Sequence, residues 1–135
     1  MLGPYFEQLA RDFTFKFASP ATLGAEVSEV GAAIVNDPQA RAQHELDVVA
    51  TFRQSSGSTG LTAIGEAKHT NRMRTIADLN RLDGIRTLLM NRGQASRATK
   101  LLVFSASGFD RNLLNASYDR DDVELIDLDR MYRGT

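Results

Sequence analysis

His44-Glu45-Leu46-Asp47-Val48-Val49-Ala50 and Ala63-Ile64-Gly65-Glu66-Ala67-Lys68 decide the fold. Both stretches are rich in apolar residues, as β-strands are, yet each carries charge. Alternate side chains of a strand share a face. Asp47 is therefore expected to project with Glu45 and Val49, and Glu66 with Ile64 and Lys68. Between them Arg53-Gln54-Ser55-Ser56-Gly57-Ser58-Thr59-Gly60 is polar and reads as a loop. Two strands joined in this way form an antiparallel hairpin. The hairpin sets Asp47 beside Glu66 and Lys68. Two carboxylates and a lysine converging on one sheet suggest a divalent metal site with a charged helper.

Working outward, Gly3-Pro4 opens a helix, because a proline early in a helix loses no intrahelical hydrogen bond. Phe6, Leu9, Ala10, Phe13 and Phe17 form its apolar stripe, and Ser19-Pro20 stops it. Residues 21–27 are a poorly patterned connection. Strands are expected at 29–35, 43–52 and 61–68, with Asn36-Asp37-Pro38 as the turn out of the first. Thr75 is the expected N-cap of a second long helix, with Asp78 in its first turn. Leu79, Leu82, Ile85 and Leu89 are the buried stripe of that helix, and Asn91 and Gly93 end it. Residues 99–106 are apolar on both faces, as a central strand covered on both sides must be. That strand is expected to pair parallel to the third through a right-handed crossover. A short helix at 109–118 and a strand at 123–128 complete an α/β fold, a mixed sheet flanked by helices.

The chain has 135 residues, of which 42% are hydrophobic and 24% charged, as in one ordinary globular domain. Sixteen basic residues against 17 acidic give a net charge of −1, so overall charge argues neither for nor against nucleic acid. There is no cysteine, which excludes disulfides and thiolate-bound zinc and fits a cytoplasmic location. No apolar run approaches the ~20 residues of a membrane span. A basic-then-apolar signal segment is absent, and so is the phosphate-cradling G-x-x-x-x-G-K-[ST] of ATPases.

Asp47 followed across a hairpin by Glu66-Ala67-Lys68 resembles the signature of the PD-(D/E)XK nuclease superfamily. The stretches Gln43-His44-Glu45-Leu46-Asp47-Val48-Val49, Ile64-Gly65-Glu66-Ala67-Lys68, Phe104-Ser105-Ala106-Ser107-Gly108-Phe109 and Leu125-Ile126-Asp127-Leu128-Asp129-Arg130-Met131-Tyr132 look like one branch of it. That branch is the nuclease-like domain at the C-terminus of bacterial and archaeal AAA-type ATPases. The resemblance runs over nearly the whole chain. Leu46 stands where many members have a proline ahead of the aspartate. The resemblance implies a restriction-endonuclease-like αβββαβ core, Mg²⁺ (with Mn²⁺ able to substitute) and a DNA substrate. It also implies an AAA-type ATPase domain in cis or trans as partner, pairing of two copies, and an origin as part of a longer chain. An acidic residue on the first helix near the metals is common in related nucleases, and Glu7 is the candidate here. A catalytically inactive module that binds DNA or an ATPase domain is the alternative.

Asp47 and Glu66 are the expected side-chain ligands, because Mg²⁺ prefers oxygen donors. The Ala67 carbonyl, between Glu66 and Lys68, is the expected third ligand. Lys68 would orient a water or hold a phosphoryl oxygen. A second metal would draw on Glu7 or Glu45. A purely structural ion-pair cluster is the competing reading for Asp47, Glu66 and Lys68. For Glu7 the competing reading is a surface pair with Arg11. Lys68, His69, Arg72 and Arg74, with Arg81 on the next helix, form the expected phosphate-binding cluster. His44 is expected on the sheet face away from Asp47, and neither histidine has a partner at zinc-ligand spacing. Ser105 and Ser107 read as strand-end residues. The acids from 119 to 129 read as a solvated edge, and Leu128, Met131 and Tyr132 as residues that pack or dock a partner.

Overall fold

Amphipathic helices bury their stripes best by laying them on a sheet, and a strand apolar on both faces demands a helical layer on each side. The computed structural model describes residues 3–16, 23 and 26–134, and they obey both demands. In chain order the elements are α1 (Gly3–Lys16), β1 (Glu29–Asp37), β2 (Ala42–Arg53), β3 (Thr59–Lys68), α2 (Ile76–Asn91), β4 (Lys100–Ser105), α3 (Arg111–Ser117), β5 (Val123–Asp127) and α4 (Leu128–Arg133). The five strands lie in the order β1-β2-β3-β4-β5. The first three form an antiparallel meander, while β3, β4 and β5 run parallel. This is the expected α/β arrangement, a mixed five-stranded sheet flanked by helices, with its elements in the order αβββαβ through β4.

Each face of the sheet has its own core. On one side Phe6, Ala10 and Phe13 of α1 pack with Val48, Ala50, Leu102, Phe104 and Ile126. Phe13 meets Phe104 edge-on, with ring centroids 6.3 Å apart. On the other, Leu79, Leu82, Ile85 and Leu89 of α2 pack with Leu46, Ile64, Leu101, Val103 and Val123. The four consecutive apolar residues of β4 feed the two cores alternately, so its lack of periodicity follows from its central place. Thr75 caps α2 as expected, with Asp78 Oδ2 accepting from the Thr75 N–H at 2.8 Å. Phe17 and the Ser19-Pro20 stop lie outside the described residues.

Two expectations for the C-terminal part need correction. The last strand ends at Asp127, whose carboxylate accepts from the Arg130 N–H (2.8 Å) and starts α4 at Leu128. Met131 is thereby folded into the α1-side core, as the packing alternative for it expects, whereas Tyr132 stays exposed. Nor are the acids of this region simply solvated. Asp122 binds Arg120 Nη2 at 2.7 Å and Arg86 Nη2 at 2.9 Å, and Glu124 binds Arg130 Nη2 at 2.9 Å. Arg86 also donates to the Thr99 carbonyl at 2.9 Å, tying α2 to the start of β4.

The hydrogen bond from Arg120 holds the Asp122 carboxyl well below the usual carboxylate range, against its partial burial, and Arg86 adds to the effect. A carboxylate with a depressed folded-state pKa contributes stability above its unfolded value of ~3.9 and loses it as pH falls through the folded value. Asp122→Ala should therefore destabilise the protein by about 1–2 kcal/mol at pH 7, less than a fully buried pair because the carboxylate is part-exposed. Urea unfolding at pH 7 and pH 3 should show the gap narrowing at the lower pH.

Candidate active site

The sheet forks where the two deciding strands part. The β2–β3 ladder runs from Arg53↔Thr59 to Val48↔Gly65 and stops. Upstream of Val48, β2 continues along β1 through Leu46, Glu45, His44, Gln43 and Ala42. Beyond Gly65, β3 continues along β4 through Glu66↔Val103, Ala67↔Phe104 and Lys68↔Ser105. A fork leaves backbone groups on its inner edges without ladder partners, and such groups must find others when they are buried.

Asp47 meets that need. Its Oδ2 accepts from the Ala67 N–H at 2.8 Å, bridging the fork where a ladder bond would have been. In a strand a residue's N–H and C=O project to the same side, so the Ala67 carbonyl also turns toward the fork. The backbone on the Asp47 side is adjusted by a β-bulge. Between Gly31↔Val49 and Ala33↔Leu46, β1 advances two residues and β2 three. In consequence Leu46 and Val49 both pack on the α2 side, although a regular strand would set them on opposite faces. The expectation that Glu45, Asp47 and Val49 share a face is thus corrected: the extra residue breaks the alternation at Asp47. The Asp47 carbonyl at the bulge accepts from Arg11 Nη1 at 2.9 Å.

A cleft of about 460 Å³ opens at the fork, lined by Glu7, Glu45, Asp47, Glu66, Ala67, Lys68, His69 and Arg81, with His44 at its wall. The chain thus brings together all four acids singled out from the sequence. Burial pushes the Asp47 carboxyl up, and so do the negative charges of Glu7, Glu66 and Glu45, against the lowering effect of the Ala67 N–H. Glu7 makes no pair with Arg11, which turns to Gln8 (3.1 Å) and the Asp47 carbonyl instead. Lys68, exposed at the end of β3, is engaged by no carboxylate among the described residues.

Glu66 is buried, with 6% exposure. Its Oε1 accepts from Arg74 Nη2 at 2.7 Å and from Arg81 Nη2. Arg74 is 2% exposed. It donates to the Phe104 carbonyl at 3.0 Å and lies 3.2 Å from Asp78 Oδ2 through Nε. The expectation that Arg74 contacts phosphate is therefore corrected: it is a strut under Glu66 that joins β3, β4 and α2. Asp78 is held below the usual carboxylate range; burial opposes this, but the Thr75 N–H, Arg74 and Arg81 outweigh it. His69 and Arg72 are exposed, and His69 packs edge-on against Phe6 with ring centroids 5.6 Å apart. His44 lies 3.7 Å from Asp37. Ser105 Oγ accepts from the Ser107 N–H at 3.2 Å, a strand-end contact. Among the described residues no three His, Cys, Asp or Glu side chains converge closely enough to hold a metal ion by themselves.

Sequence reasoning named two arginines that build this site but missed what they do. Arg11 holds the bulge and Arg74 holds Glu66. The only local signal for the second was the i,i+4 spacing of Arg74 and Asp78.

No known family model matches the chain, and no curated protein matches it. Among solved structures, a chain in the structure of an EndoMS–dsDNA2 complex is similar at 14% identity and a TM-score of 0.41. The match covers 88% of the present chain and 43% of that one. The present chain therefore spans less than half the length of that protein, and a likeness this distant decides nothing about its activity. Among the described residues no helix is long and apolar enough to cross a membrane.

Two outcomes follow from the charge balance. A carboxyl with a raised folded-state pKa removes stability as pH rises through that value, and the loss is absent below the unfolded value of ~3.9. Asp47→Asn, whose side-chain oxygen can still accept from the Ala67 N–H, should thus be more stable than the native protein at pH 7 in a chelator. The two should converge near pH 3 in urea titrations. Arg74→Ala should cost about 3–5 kcal/mol, since it strips a buried carboxylate of one partner. A residue serving only as a surface phosphate contact would cost under about 0.5 kcal/mol.

Proposed function

We propose that the chain is a divalent-cation-dependent nuclease that hydrolyses DNA phosphodiester bonds. The observation that supports this most is the fork, where Asp47, Glu66, the Ala67 carbonyl and Lys68 face one cleft with more acids than bases. The donor set fits Mg²⁺ or Mn²⁺. Asp47 has one carboxylate oxygen beyond its bond to Ala67, Glu66 has Oε2 beyond its two arginines, and the Ala67 carbonyl turns the same way. All are hard oxygens, and Mg²⁺ keeps several waters of its own. Burial first, and after it the charges of Glu7, Glu66 and Glu45, raise the Asp47 carboxyl, and a cation in the cleft would favour its ionised form. When bound, the cation would neutralise charge developing on the phosphoryl oxygens and lower the pKa of a water.

The remaining chemistry belongs to side chains. Asp47, fixed by Ala67 and by the bulge that Arg11 braces, would keep one oxygen at a constant place in the cleft. Lys68, with no competing carboxylate among the described residues, would hold a non-bridging phosphoryl oxygen or orient the attacking water. Glu7, which lines the cleft from α1, would add negative charge beside Asp47. His69 at the cleft and the exposed Arg72 three residues on would follow the backbone of the nucleic acid. An AAA-type ATPase domain in cis or trans, and pairing of two copies, belong to this proposal through the sequence resemblance alone.

A second reading, a non-catalytic nuclease-like module, is favoured by the double engagement of Glu66 Oε1 by Arg74 and Arg81. Calorimetric titration with Mn²⁺ and cleavage assays on duplex, branched and single-stranded DNA separate the two. The nuclease reading expects binding at or below millimolar Mn²⁺, and cleavage that Asp47→Ala or Lys68→Ala slows by at least ~10²-fold while melting temperatures stay near the native value. Metal binding without turnover on any of these DNAs would establish the module instead.

A further inference from the structure

The two arginines on Glu66 are not equivalent. Arg74 has 3% of its side chain exposed and is also bound to the Phe104 carbonyl and Asp78, so it cannot leave without breaking the join between β3, β4 and α2. Arg81 has 43% of its side chain exposed and lines the cleft. Its other partner, Asp78, is at 3.7 Å and is already held by Arg74. An exposed arginine of this kind is free to exchange one anion for another, and a guanidinium binds phosphate as well as carboxylate.

We propose that Arg81 is a latch that pairs with Glu66 in the resting protein and transfers to a phosphate of incoming DNA, releasing Glu66 toward the cation. This inference rests on the nuclease reading above and adds to it an order of events. With Arg81 on Glu66, one of the two ligand carboxylates is neutralised twice over and attracts a dication weakly. When a backbone phosphate takes Arg81, the cleft becomes more negative as the polyanion arrives. DNA and cation then strengthen each other's binding by the same factor, because the DNA frees the carboxylate that the cation uses and coupling between two sites is reciprocal. Arg74 stays behind and keeps Glu66 aimed at the fork.

The test uses Arg81→Met, with Arg81→Gln as a second variant should the first unfold, each checked by thermal melting. Calorimetric Mn²⁺ titration without DNA should show affinity raised roughly tenfold over the native protein, since one unit charge beside a ligand carboxylate has been removed. In a chelator, binding to a duplex of about 20 base pairs should show a salt slope smaller by about one, the loss of a single phosphate contact. Both changes together support the latch. Native protein that binds Mn²⁺ while the variant binds it no more tightly overturns the latch and leaves the nuclease reading standing. An unchanged salt slope, or no duplex binding by the native protein, also overturns it. If neither native protein nor variant binds Mn²⁺, the nuclease reading itself falls, and the latch with it.

Discussion

One hydrogen bond organises the functional end of the molecule: the Ala67 N–H donating to Asp47 Oδ2. Two strands that had been paired since the hairpin loop separate at Val48 and Gly65, one following β1 and the other following β4. Separation exposes backbone donors and acceptors, and leaving them unpaired in a part-buried place would cost on the order of 1–3 kcal/mol each. A carboxylate on the bulged strand takes the donor. The same contact that repairs the sheet holds an acid in the lining of a cleft. The bulge is a consequence of this arrangement, because the extra residue in β2 breaks the alternation at Asp47 while letting Leu46 and Val49 both pack on the α2 side.

The acids of the cleft are compensated in two different ways. Glu66 is paid for by the protein itself, through Arg74 beneath it and Arg81 beside it. Among the described residues Asp47 receives only a backbone N–H, and it faces Glu7, Glu45 and Glu66. That asymmetry separates the site from an ordinary surface network such as Asp122 with Arg86 and Arg120, where every charge has a partner within the chain. Lys68 stands on the uncompensated side, where a phosphate would arrive.

Particular residues show how far local pattern reaches. The stripes Phe6, Ala10, Phe13 and Leu79, Leu82, Ile85, Leu89 are buried as their helical spacing requires. The double-sided β4 lies centrally, as its unbroken apolar run requires. The candidate acids Glu7, Glu45, Asp47 and Glu66 do line one cleft. The bulge at Asp47 was not legible, since inserting one residue leaves no mark in a strand already rich in valine and alanine. Arg74 was read as a surface base because it sits in the polar run after β3. Its burial depends on carbonyls of Glu66 and Phe104 that only the assembled sheet brings within reach. Helix α4 was hidden because Asp127, read as a residue inside a strand that runs on to Leu128, ends that strand and caps the helix.

The sequence by itself determined the order of elements from α1 through β5, the two apolar faces and the identity of the acids and bases near the hairpin, because these follow from periodicity and from residue chemistry. The tertiary structure alone decided which charges neutralise one another and which remain open. Ion pairing depends on distances between side chains far apart in sequence, such as Arg11 with the Asp47 carbonyl and Arg74 with Phe104. No spacing rule along one chain encodes those distances, because they are set by where a sheet forks and how a helix crosses it.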